Sequence, residues 1–148
     1  MSARVVIRPA TERDAPTIAA LSGQLGYGAD EGVMAERLRR AAGDASRIVA
    51  AAELEGRVVG CMEVAISEAF ESGRWSEIRG LIVDEAWRGE GVGAALVAFA
   101  RAWTKEHGLA TLRVRTNEVR ARAHAFYERN GFTKTKSQRV YDARLDVS

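Results

Sequence analysis

The chain has 148 residues, 47% apolar and 28% charged, as expected of a globular protein long enough to bury a core. Its 22 basic and 20 acidic residues leave a formal charge of +2, too balanced to point to nucleic acid or a membrane surface as partner. The single cysteine, Cys61, excludes an internal disulfide and fits a reducing compartment. No apolar run approaches the roughly 18 residues of a membrane span, and residues 1–8 hold no apolar core of signal-peptide length, so one cytoplasmic domain over 1–148 is expected.

The first strand is Val5-Val6-Ile7-Arg8, stopped by Pro9. Thr11 and Asp14 form a capping-box pair for a helix over 12–25, with Ile18, Leu21 and Leu25 at helical spacing. A glycine-rich loop over 23–30 leads to a second helix over 31–42, with Val33, Leu38 and Ala42 inward. Residues 47–54 and 57–67 make a hairpin around Glu55-Gly56, a favoured two-residue turn. A break over 68–73 leads into a third meander strand over 75–84, and then comes a helix over 91–107. A strand over 111–116 follows, then a helix over 121–129 ended by Asn130-Gly131, and two last strands over 132–136 and 138–145. Tight turns between the early strands mean antiparallel pairing, whereas the later strand-helix-strand unit needs a parallel crossover. The sum is an α/β fold with a mixed, mostly antiparallel sheet and helices on both faces.

The most informative stretch is Arg88-Gly89-Glu90-Gly91-Val92-Gly93, between a strand and a helix. Glycines permit a tight turn and let a ligand approach the backbone closely. The first amides of a helix lack internal partners and carry partial positive charge, so the loop is suited to phosphate, and Arg88 adds a cation. Gly89 to Ala94 also fits the dinucleotide fingerprint G-x-G-x-x-A. That reading fails because some 80 residues of antiparallel structure come first, Asp84 to Arg88 separate strand from loop, and no acidic residue stands about 20 positions on. No Gly-Lys-Ser/Thr follows, which excludes a P-loop.

Along nearly its whole length the chain resembles the GNAT superfamily of N-acetyltransferases. The residues that carry the resemblance are Arg88, Gly91 and Gly93 in the R/Q-x-x-G-x-G/A loop after Gly80-Leu81-Ile82-Val83-Asp84-Glu85, then Asn117, Tyr127 and Gly131-Phe132. It implies a sheet splayed between its fourth and fifth strands, with acetyl-CoA in the cleft. The amides of Gly89, Glu90, Gly91, Val92, Gly93 and Ala94 would hold the pyrophosphate. The backbone of Leu81, Ile82 and Val83 would pair with the pantetheine arm.

Acetyl transfer to an amine needs a neutral amine, a polarised thioester and a proton for the departing thiolate. Tyr127 is the candidate acid, since a phenol is protonated at pH 7; the plainer alternative is a packing residue. Glu77 is the candidate base or amine-binding group, with Glu63 behind it; either is equally readable as a solvated carboxylate. Glu77, Arg79 and Leu81 share a face unless a bulge intervenes, as it often does in family members. Asn117 is read as bonding the coenzyme arm, capping the next helix, or both. His124 is read as a surface residue, with contact to the coenzyme as the alternative, His107 as a helix-end group suited to the dipole, Cys61 as core, and Trp75, Trp87 and Trp103 as packing groups. Two distant histidines and one cysteine do not make a metal site, so no metal is expected.

The expected enzyme is an acetyl-CoA-dependent N-acetyltransferase acting by direct attack in a ternary complex; the alternative is a non-catalytic acyl-CoA-binding or sensor module of the same fold. Residues 23–30, 68–73 and 138–142 would shape the acceptor site, and Asp30, Glu31, Glu68, Glu71 and Glu77 hint at a cationic amine on a small molecule or peptide. Dimerisation is common in the superfamily, and no residue here demonstrates a homodimer.

Overall fold

A five-stranded sheet in the order β1-β2-β3-β4-β5 organises the chain: β1 Val5–Pro9, β2 Arg47–Leu54, β3 Arg57–Ala69, β4 Gly73–Val83 and β5 Leu112–Val114. The computed structural model describes residues 4–26, 28–116 and 120–146. It falls into two compact units, Met1–Arg115 and Thr116–Ser148. All five strands lie in the first, together with α1 Ala15–Gln24, α2 Glu31–Ala42 and α3 Val92–Glu106; α4 Ala121–Arg129 lies in the second.

The first four strands are antiparallel neighbours, and β5 joins β4 in parallel after the α3 crossover. At the β2–β3 turn Glu55 and Gly56 have φ of 53° and 76°, the left-handed pair that a two-residue hairpin requires. The β3–β4 connection is tighter than expected. Glu68 and Ala69 pair with Arg74 and Gly73, and Gly73 at φ 77° closes the turn. The predicted break is therefore a short hairpin tip, where Phe70 is 99% exposed.

Alternation along the strands divides the core in two. On one face Ala51 and Cys61, with Val49 and Ile82 beside them, pack against Ile18 and Leu21 of α1 and Met34 and Leu38 of α2. On the other face α3 lies across the sheet, burying Val92, Leu96, Val97, Ala100 and Trp103. Gly60 marks the closest approach there: a Cβ on it would lie 3.0 Å from both the Ile82 carbonyl oxygen and Val92 Cγ1.

Several expectations shift at the helices. Thr11 and Asp14 do cap a helical start, with the Asp14 carboxylate accepting from the Thr11 amide at 2.8 Å. The first turn, Glu12–Asp14, is a 3-10 turn, and the α-helix begins only at Ala15, with Pro16 in its first turn. In α2 the buried stripe is Met34, Leu38 and Ala41 rather than Val33, Leu38 and Ala42. Asp30 caps α2 by accepting from the Val33 amide at 2.7 Å, and Val33 in that first turn faces outward.

In the second unit α4 spans the predicted residues and ends on Gly131 at φ 89°. The Phe132 amide donates to the Tyr127 carbonyl and the Gly131 amide to that of Glu128, the paired bonds of a left-handed helix stop. Residues 132–136 and 138–145 are not strands. Strand pattern alone does not make a ladder: each amide and carbonyl needs a neighbouring strand, and among the described residues of this unit none forms. Val140, Tyr141 and Leu145 are accordingly exposed.

Candidate active site

The site is legible first in what β4 does after Ile78. Its pairing with β5 covers only Ser76, Glu77 and Ile78, opposite Leu112, Arg113 and Val114. Beyond that point β4 continues to Val83 with β3 on one side and no described strand on the other. The Asp84 amide donates to the Val59 carbonyl at 2.8 Å, which fixes the phase of the ladder. By alternation Ile82 turns its backbone groups to β3, whereas Leu81 and Val83 turn theirs to the open edge.

That edge leads to the glycine loop through one short turn. Asp84 caps a 3-10 turn, Glu85–Trp87, by accepting from the Ala86 amide at 3.1 Å. Gly89 and Gly91 have φ of 85° and 82°, which only glycine adopts without strain. Gly91 is the N-cap of α3, and the first helical bond runs from the Ala95 amide to its carbonyl at 3.1 Å. The amides of Val92, Gly93 and Ala94 therefore precede all intrahelical bonding and carry the positive end of the helix dipole. Arg88 stands beside them, 4.0 Å from Glu85. Gln24, at the end of α1, braces the same loop by donating to Asp84 at 3.5 Å and accepting from the Glu85 amide at 3.2 Å.

A bulge at Arg79 separates this segment from the carboxylates. Glu63 pairs with Gly80 but Val64 with Ile78, so Arg79 is one residue too many on β4. Glu77 therefore shares the α1–α2 face with Gly80 and Ile82, not with Leu81. The same face carries a cavity of about 260 Å³ walled by Ser22, Met34, Arg37, Arg47, Glu63 and Gly80 among others. Glu63 is tied to Arg47 at 3.3 Å. The Glu77 side chain, 15% exposed, accepts at Oε1 from Arg115 Nε and Trp75 Nε1, both at 3.2 Å. Trp75, read from sequence as a packing group, is thus buried and also a donor, and Arg115 was not singled out at all. The signal was available: Trp75 and Glu77 are two apart on β4, and Arg113 and Arg115 are two apart at the end of β5, the spacing that returns a side chain to the same face.

In the second unit Tyr127 packs edge-on against Phe126 and Phe132, with ring centroids 5.1 and 5.5 Å away. Burial pushes its phenol above the ordinary tyrosine value, which keeps it a proton donor. His124 is half-buried on the same helix. Asn117 lies outside the described residues. Among the described residues no group of three or more His, Cys, Asp or Glu could hold a metal ion, and no helix is long and apolar enough to cross a membrane.

An open strand edge feeding a glycine-capped helix start defines the class. The family model described as acetyltransferase (GNAT) family matches residues 18–132, and the chain belongs to that family. It is an enzyme, an acetyl-CoA-dependent N-acetyltransferase. A curated relative is the aminoglycoside N(6')-acetyltransferase type 1 of Stenotrophomonas maltophilia, 33% identical over 147 residues, covering 96% of this chain and 95% of the relative. Among solved structures, aminoglycoside 6'-N-acetyltransferase AAC(6')-Ih from Acinetobacter baumannii superposes with a TM-score of 0.84 at 19% identity, covering 97% of this chain and 100% of the other. Aminoglycoside N-acetyltransferase AAC(6')-Iy in complex with CoA superposes at 0.87 with 17% identity, covering 98% of both chains.

Proposed function

We propose that the enzyme acetylates a primary amine of a small molecule by direct attack of the neutral amine on the thioester, within a ternary complex. The observation that carries this reading is the edge of β4 beyond Ile78, covered by no described strand, leading through one 3-10 turn to the amides at the start of α3. Leu81 and Val83 offer backbone groups along that edge, suited to the pantetheine amides, while the side chain of Ile82 lines the acceptor face. The amides from Gly89 to Ala94, with Arg88, suit the pyrophosphate. Asn117 is assigned to the coenzyme arm on the family pattern alone.

In the reaction the amine nitrogen forms a bond to the carbonyl carbon and the carbon–sulfur bond breaks. Glu77 takes the proton released by the amine, directly or through a water, and Tyr127 returns a proton to the thiolate. The acceptor class follows from the named relative: an aminoglycoside 6'-amine is the first to test, ahead of polyamines and peptide N-termini. The acceptor meets the sheet on the α1–α2 face, where the cavity and both carboxylates lie. We assign the enzyme to the cytoplasm, where acetyl-CoA is held, and a homodimer is the assembly to look for.

The test is a thiol-release assay with acetyl-CoA across amine classes. Release that saturates with an aminoglycoside, and acetylation of a single amino group by mass spectrometry, is the expected result. Coenzyme binding with no release from any amine would replace catalysis with a binding-module role.

A further inference from the structure

Glu77 does not stand alone on the acceptor face. Two donors reach it, the Trp75 indole and the Arg115 guanidinium, each at 3.2 Å and both on Oε1. Among the described residues no donor is directed to Oε2. Trp75 is itself fixed, buried at the sheet with the Arg113 guanidinium 4.5 Å above its ring centroid. Trp75 and Glu77 project to one face of β4, and Arg113 on β5 and Arg115 just past its end reach the same face, because Glu77 and Arg113 are register partners and the others lie two residues away.

A glutamate on a strand has a loose terminal torsion, and its carboxylate ordinarily turns freely. Two donors converging on one oxygen remove that freedom. They leave the second oxygen as the acceptor for any further proton. The two donors also differ in kind. The indole is neutral and rigid, and sets direction; the guanidinium supplies charge, and hydrogen bonds to charged groups are the stronger ones. Arg113 stacked on the indole keeps the ring from rotating out of range.

We propose that Trp75 and Arg115 are positioning residues that pin Glu77 through Oε1, so that Oε2 faces the acceptor amine. This rests on the reading of Glu77 as the base. It adds a requirement which that reading does not contain: Glu77 needs both donors to work at full rate.

The test is a double-mutant cycle in the full-length enzyme, using the amine that gives the fastest thiol release. Trp75→Phe keeps a ring and removes the N–H; Arg115→Gln removes the charge; Arg115→Lys retains it. Trp75→Phe and Arg115→Gln are each expected to lower kcat about tenfold, the scale set by one charge-assisted hydrogen bond, with the KM for acetyl-CoA unchanged. Arg115→Lys should recover most of the loss. In a Glu77→Gln background neither change should matter further, whereas a merely structural role would subtract from activity in both backgrounds. Equal losses in both backgrounds, or no loss in either single variant while Glu77→Gln is impaired, would overturn the positioning role. Full activity in Glu77→Gln would instead remove the base itself. If Trp75→Phe fails to fold, as judged by thermal melting, the Arg115 pair of variants completes the cycle alone.

Discussion

Arg8 grips Asp14 with two parallel hydrogen bonds of 2.8 Å, from Nη1 and Nη2 to the two carboxylate oxygens. The same guanidinium reaches Glu53 on β2 through Nε at 2.6 Å. Asp14 in turn accepts from the Thr11 amide, so one buried carboxylate joins β1, β2 and the start of α1. The guanidinium holds Asp14 well below the usual carboxylate range. The folded state therefore binds this proton less readily than the unfolded chain. Its stabilisation is present above the ordinary aspartate value near pH 4 and fades as pH falls through the depressed one. Asp14→Asn should cost about 2 kcal/mol at pH 7 and flatten the acid side of the stability curve, measured by urea melts from pH 7 to 3. An unchanged acid limb would show that other groups carry it.

Gly60 is required by packing rather than by backbone conformation. An added methyl would meet the Ile82 carbonyl and Val92 Cγ1 at 3.0 Å, so α3 would have to lift from β3. Gly60→Ala is expected to destabilise by about 1–3 kcal/mol and, by shifting the start of α3, to weaken acetyl-CoA binding as well. Denaturation midpoints and coenzyme titration read the two effects separately.

Tyr127→Phe should lower kcat about tenfold or more and leave acetyl-CoA affinity within about twofold. Burial raises the phenol, so the wild-type donor keeps its proton up to and beyond pH 10, and any alkaline loss of turnover it causes lies above that. Unchanged turnover in the variant would remove Tyr127 from the chemistry.

Cys61 should resist labelling. It is buried on β3, and desolvation pushes its thiol up to about 12, so almost no thiolate exists at pH 8. Aromatic disulfide reagents should react only as fast as the protein unfolds, and stoichiometrically once denaturant is added. Rapid labelling of the native enzyme would show a far more open α1–α2 face.

The parts of this fold written in local chemistry were readable from the residues. Glu55-Gly56, the Thr11–Asp14 cap, the glycine stop at Gly131 and the loop from Arg88 to Gly93 each depend on neighbours a few positions away. What depended on distant partners was not. Residues 132–145 carry strand pattern, yet a strand exists only where another supplies its hydrogen bonds. Val33 and Met34 are both apolar, and which of them turns inward is decided by how α2 lies on α1. The partners of Glu77 are 2 and 38 residues away, the farther one just past the end of β5.

The bulge at Arg79 has a consequence for how such a site can change. Along β4, sidedness is a count: every residue added or removed inverts the phase of everything beyond it. Without Arg79, Glu77 would point toward α3 and the segment from Gly80 to Val83 would keep its place against β3. One codon therefore separates a sheet that presents Glu77 on the α1–α2 face from one in which it is buried against a helix. An insertion or deletion at this strand, more than a substitution, is what would carry a carboxylate from one face of the sheet to the other.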